Sequence, residues 1–292
     1  MNNPRFQSFF DHHYHIVENV RDRSNFWRLS DSIVAELLKQ HLYPHCKTDT
    51  FILDIGGGTG RWALKICNDT GATLTVLDSS SELLEITDTY AKKAGLEHQV
   101  KTVVSDMTNM AMIQDATYDH VICLYGPLSY CQDIGRAAQE MYRVLKDGGR
   151  LVVMGHGHYN ALYSKINNHH ASIAELSRLK NEMKVVWNED LPELHTFSCR
   201  SLESQLTAAD FAILRTFGIP TLVKPGKEDT SMAYDHSSHI SNYLDNKDVF
   251  ETLFNLEMEV NGSGNLANNG VNIMCIAQKV QPDSKLGNIL GN

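Results

Sequence analysis

Short apolar runs alternate with segments of helical periodicity through the middle of the chain. Phe51 to Ile55, Leu74 to Leu77, Val100 to Val104, Val121 to Leu124 and Arg150 to Met154 have the length and apolar content of buried strands. Between the fourth and fifth runs, Ile134, Ala137, Ala138, Met141, Tyr142 and Leu145 fall at i, i+3, i+4, i+7, i+8 and i+11, with Asp133 placed to cap the helix. Asp147, Gly148 and Gly149 then turn the chain into the fifth strand, and Ser79 with Glu82 forms a capping box for the helix after the second. This alternation predicts an α/β domain with a mostly parallel sheet.

The flanks differ in pattern. Phe6 to Val20 predicts a short helix, and Ser30 or Asp31 caps a second, whose stripe is Ile33, Val34, Leu37, Leu38 and Leu42 and which Pro44 ends. Residues 1–48 thus read as a helical cap on a core of residues 49–155. Residues 156–200 are an insertion with a polar, helix-prone stretch from Ser172 to Lys184, and residues 201–280 return to the sheet. That return comprises a helix Ser201 to Ala209, a strand Phe211 to Phe217, an insertion 218–269 with a helix Asp248 to Glu259, and an antiparallel strand Val271 to Val280. Residues 281–292 form a polar tail. Both insertions follow strand ends on the ligand side of such a sheet, which predicts a substrate lid. Tyr159, Tyr163, His169, His170, Trp187 and His195 would suit a small, partly apolar acceptor there.

The chemistry concentrates at ILDIGGGTGRWAL, Ile52 to Leu64. A strand that stops on Gly56, Gly57 and Gly58 can turn at φ values other residues resist, and lets a ligand approach the backbone. The helix that follows offers free N–H groups to negative charge or lone pairs. Asp78, twenty-two residues after Gly56 at the end of the second strand, can accept hydrogen bonds from both hydroxyls of a ribose. Glycine spacing alone admits two ligands, because Gly58, Gly60 and Ala63 fit a dinucleotide pattern while Asp54, Gly56, Gly58 and Gly60 fit D-x-G-x-G-x-G. Asp54 would repel a pyrophosphate but can orient the ammonium of an amino-acid-bearing nucleoside, which favours S-adenosylmethionine over NAD.

Composition narrows the partners. A net charge of −9 without a Lys/Arg run argues against a nucleic-acid partner. No signal peptide or apolar stretch of about 18 residues is present, which argues against a membrane partner and for a cytoplasmic protein. The six cysteines form no CxxC pair and read as reduced thiols. The fourteen histidines have no carboxylate or thiol array at ligand spacing, so no metal is expected.

From about Thr50 to about Met154 the chain resembles the class I S-adenosylmethionine-dependent methyltransferases of small-molecule type, with weaker similarity to Lys279. The landmarks stand in order: LDIGGGTG at Leu53 to Gly60, LDSSSELL at Leu77 to Leu84, VVSDM at Val103 to Met107, YDHVICLYGPLSYC at Tyr118 to Cys131 and YRVLKDGGRLVVM at Tyr142 to Met154. The resemblance implies a Rossmann-like fold, with a mostly parallel seven-stranded sheet, an antiparallel last strand, a helical cap and insertions. It implies that Gly56, Gly58 and Gly60 lie under the methionine moiety, Asp78 holds the ribose, Asp106 meets the adenine amino group, Met107 packs beside the ring and Leu124 lies near the methionine backbone. Gly57 and Ser79 complete the candidate cofactor set, and Tyr14 is a candidate to close over the methionine end or to pack on the domain. YGPL, Tyr125 to Leu128, departs from the asparagine- and proline-rich stretch of amine and nucleobase methyltransferases.

The implied reaction is transfer of a methyl group to a small-molecule acceptor through oxygen, nitrogen or carbon, which needs alignment and exclusion of water. Tyr125, Tyr130, His156 and His158 stand at or after the ends of the fourth and fifth strands; the histidines are candidate bases and the tyrosines candidate orienters. Two other readings stand beside it: a cyclase or alkyltransferase that releases methylthioadenosine, and a non-catalytic cofactor- or NAD-binding protein.

Overall fold

The computed structural model describes Tyr14 and residues 20–187, 192–230 and 234–280. Its strands are β1 (Phe51–Ile55), β2 (Thr73–Asp78), β3 (Val100–Val104), β4 (Tyr118–Cys123), β5 (Leu145–Gly157), β6 (Lys184–Val185), β7 (Leu194–Phe197), β8 (Phe211–Ile219) and β9 (Asn272–Lys279). The first five pair in parallel in the order β3-β2-β1-β4-β5. The antiparallel β9 lies between β5 and β8. These seven strands are the expected sheet. The insertion adds two more: β7 runs parallel to the last two residues of β5, pairing Thr196 with His156 and Phe197 with Gly157, and β6 pairs antiparallel with β7.

Successive residues on each central strand face opposite layers, as a period of two requires. Ile52, Ile122 and Val152 join Phe26, Leu29, Ile33 and Leu37 of α1 (Asn25–His41) and Trp62 and Ile66 of α2 (Arg61–Thr70). The helix α3 (Ser81–Lys93) adds Leu84 and Ala91 to the same face. A short helix, α4 (Pro127–Tyr130), follows β4 and leads into α5 (Ile134–Val144). Leu53, Val121 and Val153 join Ala137 and Met141 of α5 on the opposite face. The insertion contributes α6 (His158–Asn167) and α7 (Ile173–Glu182), whose small core of Ala161, Leu179, Val185 and Leu194 lies against Tyr130. The helix α8 (Cys199–Ala208) precedes β8 and packs Leu202 and Leu206 into the second layer.

Element boundaries moved where polar residues found distant partners. The cap of α1 is Ser24, whose Oγ accepts from Trp27 N at 3.3 Å, so Ser30 and Asp31 lie inside the helix rather than at its start. The cap of α3 is Ser80, which accepts from Leu83 N, and not Ser79. The Asp147–Gly149 turn is taken into β5 as an irregularity in its pairing with β4. The first helix expected at Phe6 to Val20, Tyr14 and Val20 apart, and the tail 281–292 lie outside the described residues.

Two buried carboxylates hold the second insertion, Asp229 to the rest of the chain and Glu257 within the insertion itself. Asp229 is 1% exposed and accepts from Ser24 Oγ (2.8 Å) and Ser241 Oγ (2.6 Å) on one oxygen, and from Ser238 Oγ (2.6 Å) and Gly226 N (2.8 Å) on the other. The Asp229 carbonyl also accepts from Trp27 Nε1 at 2.6 Å, so the insertion grips the start of α1. Glu257, in the insertion's helix Lys247–Val260, accepts the backbone N–H groups of Thr221, Leu222 and Val223 at 2.6–2.8 Å. Asp229→Ala would leave three hydroxyls and one N–H without their acceptor. Bonds to a charged acceptor are worth about 1.5–3 kcal/mol each and do not add fully, so a stability loss of about 3 kcal/mol is expected in denaturant or calorimetric unfolding.

Candidate functional site

A cavity of about 860 Å³ opens at the carboxyl ends of β1, β2 and β4. Its floor is the turn after β1. Gly56 and Gly58 adopt φ values of +67° and +56°, where L side chains are strained, and a Cβ on Gly57 would stand 2.7 Å from Asp54 Oδ2 and from Val76 Cγ1. Gly58 N donates to Asp78 Oδ2 and Ser80 N to Asp78 Oδ1, each at 3.0 Å, so one carboxylate joins the turns after β1 and β2. Asp78 and Ser79 both line the cavity.

Gly60 does not line the cavity. It has φ +75° and heads α2, and a Cβ there would meet Thr87 Cγ2 of α3 at 2.6 Å, so its contribution is close helix packing. Farther along the wall stand Asp106 and Met107, with Asp106 Oδ1 accepting from both Thr108 N and Thr108 Oγ1 at 2.8 Å. Leu124 lines the opposite side and Tyr14 contributes from the cap.

Asp54 is 2% exposed, and its Oδ2 is buried without a hydrogen-bond partner among the described residues. Burial, reinforced by the charge of Asp78 and opposed by Arg61, pushes its pKa up to about 7. An unsatisfied acceptor at the foot of the glycine turn suits a ligand that brings an N–H donor or a positive charge.

The catalytic candidates separate. Tyr125 follows β4 at φ +59° and donates from its hydroxyl to Asp31 Oδ1 at 2.5 Å, with Ser30 Oγ at 3.1 Å. Burial and the Asp31 charge raise its pKa, so the phenol stays protonated and its proton is committed to Asp31. Tyr130 lines the cavity, and burial pushes its phenol up to about 12. Neither His156 nor His158 lines the cavity. His156 sits behind the Gly126–Tyr130 turn, where its backbone N donates to Ser129 Oγ at 2.9 Å and its ring meets Tyr130 edge-on. Burial pulls its pKa down to about 4, leaving a neutral imidazole of low basicity. His158 is 7% exposed, with Nδ1 3.0 Å from Thr196 Oγ1, and belongs to the interior of the insertion.

Among the described residues, none of 156–200 or 218–269, where a lid was expected, lines this cavity, and the cap contributes Tyr14, Arg21 and Asp22. The insertion acts one layer back, where its small core supports Tyr130. Of the residues proposed to meet an acceptor, Tyr159 and Tyr163 are exposed, and Trp187 packs near His169 and Lys165.

A polar junction escaped the sequence reading. Asp31 forms a two-pronged pair with Arg61 and lies 3.8 Å from Arg21 Nε, while the Tyr125 ring stacks on Trp62 at 6.0 Å and meets Trp27 edge-on. Arg61 and Trp62, directly after Gly60, were the local signal; nothing in the sequence announced that the middle of α1 would reach them. Among the described residues no group of three His, Cys, Asp or Glu could hold a metal.

The parallel sheet, the glycine turn under the cavity and the acids at the ends of β1 and β2 define a Rossmann-like nucleoside-binding domain. Residues 52–149 match the family described as a methyltransferase domain, and this part of the chain is similar to class I S-adenosylmethionine-dependent methyltransferases. It is 30% identical over 143 residues to the ubiquinone/menaquinone biosynthesis C-methyltransferase UbiE of Rhizobium meliloti, covering 48% of this chain and 53% of that protein. It is 27% identical over 213 residues to the sterol 4-C-methyltransferase strm-1 of Caenorhabditis elegans, covering 63% of each. The chain thus spans about half to two thirds of the length of these relatives. Among solved structures, the [4+2]-cyclase SpnF aligns over 94% of this chain and 95% of its own with TM-score 0.58 and 18% identity, a likeness of fold. S-adenosylmethionine is the cofactor of the family, and the orphaned Asp54 oxygen, the bare glycine floor and Asp78 fit its ammonium, methionine chain and ribose.

Asp78→Ala is expected to weaken S-adenosylmethionine at least ~10-fold in calorimetric titration, as loss of a charge-assisted contact requires. It should also lower the melting temperature without ligand, because Gly58 N and Ser80 N lose their acceptor. Asp78→Asn should be milder in both.

Asp54 gives a pH signature. Its value rises from 3.8 in the unfolded chain to about 7 in the fold, so between these limits the folded state keeps a proton that the unfolded state has released. The contribution is complete below about pH 4 and declines as pH rises toward 7. Asp54→Asn is expected to flatten that slope in melting temperatures of the ligand-free protein measured from pH 4 to pH 8.

Proposed function

We propose that this chain is an enzyme that transfers the methyl group of S-adenosylmethionine to a small organic acceptor. The observation that carries the reading is that Asp54, the glycine floor, Asp78, Asp106 and Met107 all line one cavity. In this reading Asp54 receives the ammonium, Gly56, Gly57 and Gly58 lie under the methionine chain and Leu124 beside it. Asp78 takes the ribose hydroxyls, Asp106 the adenine amino group, and Met107 packs on the ring. Ser79 lies at the ribose edge and Tyr14 closes the mouth.

The sulfonium supplies an activated methyl group, so the chain's task is to align the acceptor and keep water out. Tyr125 and Tyr130 hold their protons, and His156 and His158 stand outside the wall, so they orient or support rather than accept a proton. This favours an acceptor that is nucleophilic before it binds. Both relatives carry names of carbon methyltransferases, and we assign a carbon acceptor on that support. A cavity of about 860 Å³ suits the cofactor with a small second molecule, and the net charge of −9 opposes a nucleic-acid substrate. The free thiols suit a reducing, cytoplasmic compartment. Among the described residues no helix is long and apolar enough to cross a membrane.

A fold shared with a protein named a cyclase does not by itself fix the reaction. Calorimetry should show micromolar-scale binding of S-adenosylmethionine and negligible binding of NAD. Incubation with a panel of small metabolites should release S-adenosylhomocysteine. NAD binding as tight as that of S-adenosylmethionine would sink the cofactor assignment, and methylthioadenosine as the spent product would replace methyl transfer by cyclisation or alkyl transfer.

A further inference from the structure

Part of the cavity wall is built from the cap and from the residues after the glycine turn. There two guanidiniums stand beside the inner carboxylate of Asp31, and Arg61 also feels the buried Asp54. Asp31 spends both oxygens on Arg61 and one also on the Tyr125 hydroxyl, while Arg21 Nε stands 3.8 Å from Asp31 Oδ2, beyond hydrogen-bond range. That Nε is buried without a hydrogen-bond partner among the described residues. Asp22, the other acid nearby, is exposed at the rim, where water screens it.

The two guanidiniums are held in place by rings. Arg21 lies 4.5 Å above Tyr125 and 5.4 Å from Trp27, and Arg61 lies 5.0 Å from Trp62 and 5.6 Å from Tyr125. Neither can swing toward solvent without giving up that stacking. Burial and the neighbouring Arg61 charge lower the pKa of Arg21, and the charge of Asp31 and a hydrogen bond with Tyr125 oppose them without cancelling them, so the cation is compensated only in part. Such a group is completed by an incoming anion, and a guanidinium presents a fork matched to carboxylate or phosphate.

We propose that Arg21, with the charge of Arg61 beside it, binds an oxyanion, a carboxylate or phosphate, carried by the methyl acceptor, whose apolar body lies in the same cavity next to Tyr125 and Tyr130. This rests on the methyl-transfer reading above and names the class of its acceptor: a small organic acid or phosphate ester with an unsaturated or aromatic portion. The cofactor's own carboxylate is the other source of the same chemistry. It has a separate place at the start of α2, a ten-residue helix headed by Gly60 with no side-chain cap on its first N–H groups.

The test uses the whole chain and five probes. S-adenosylhomocysteine is titrated first, and benzoate, phenyl phosphate and the neutral benzamide are then titrated into the saturated complex. At least one acid should bind ~10-fold or more tighter than benzamide, the ratio of a charge-assisted pair. Arg21→Gln should abolish that preference and leave S-adenosylhomocysteine affinity within about twofold, with Arg21→Lys intermediate because charge remains and the fork is lost. Equal binding of the acids and benzamide by the unaltered protein would overturn the proposal. So would a ~10-fold loss of S-adenosylhomocysteine in Arg21→Gln with methylthioadenosine affinity unchanged, which would give the anion to the cofactor. Failure of S-adenosylhomocysteine to bind at all, seen before any acid is added, would remove the methyl-transfer reading and this proposal with it.

Discussion

The hydrogen bonds from Gly58 N and Ser80 N to the two oxygens of Asp78 set the geometry on which the site depends. They convert two neighbouring strand-to-helix turns, each short and rich in small residues, into one shelf. Thr87 reinforces it by donating to Gly58 O at 2.7 Å while filling the space left by the missing side chain of Gly60. A glycine turn alone is mobile, because its backbone has the widest choice of conformations. Fixed by a carboxylate and a hydroxyl, it keeps a bare floor without a side chain to fill it.

Charge is distributed unevenly over this shelf. The lining holds two sets of charge, acids that include Asp54, Asp78 and Asp106 and the cations Arg21, Arg61 and Arg136. The two sets communicate through Arg61, which pairs with Asp31 and also lowers the cost of ionising Asp54. A zwitterionic, cationic cofactor and an anionic partner would each find the opposite sign waiting. In the absence of ligands this arrangement is a source of instability, since a carboxyl oxygen and a guanidinium nitrogen are buried without hydrogen-bond partners among the described residues. Binding groups are concentrated where the fold is least satisfied.

Much of this was legible because local rules and the global fold agreed from β1 to β5. The strand runs, the Asp133 cap and the glycine turn are each encoded within a dozen residues, and the resemblance supplied the order in which they meet a cofactor. Tyr14, Asp54, Asp78, Ser79, Asp106, Met107 and Leu124 all line one cavity for that reason. Legibility failed where partners are distant in sequence. Asp31 read as a helix cap because its neighbours suggested one, whereas its position is set by Arg61 and Tyr125 across the domain. His156 and His158 read as candidate bases by their place after β5, but strand order does not reveal that a hairpin of the insertion adds to that edge and encloses them. The insertion was legible as additional structure, and its described residues support the cavity through Tyr130 without lining it.

The Asp229 cluster has a consequence for how the molecule is made. Ser24 and Asp229 are 205 positions apart, and Ser24 and Ser241 are 217 apart. During synthesis the start of α1 therefore leaves the ribosome long before the residues that hold it exist. The nearest-neighbour pairs β1–β2 and β2–β3, by contrast, close over short separations. The nucleoside shelf is thus a product of early, local contacts, and the cover over it is fastened last by contacts of very high order. The distal segment also carries β9, which joins β5 to β8, so the shelf rests on contacts close in sequence while both the roof and the completed sheet wait for the last part of the chain to be made.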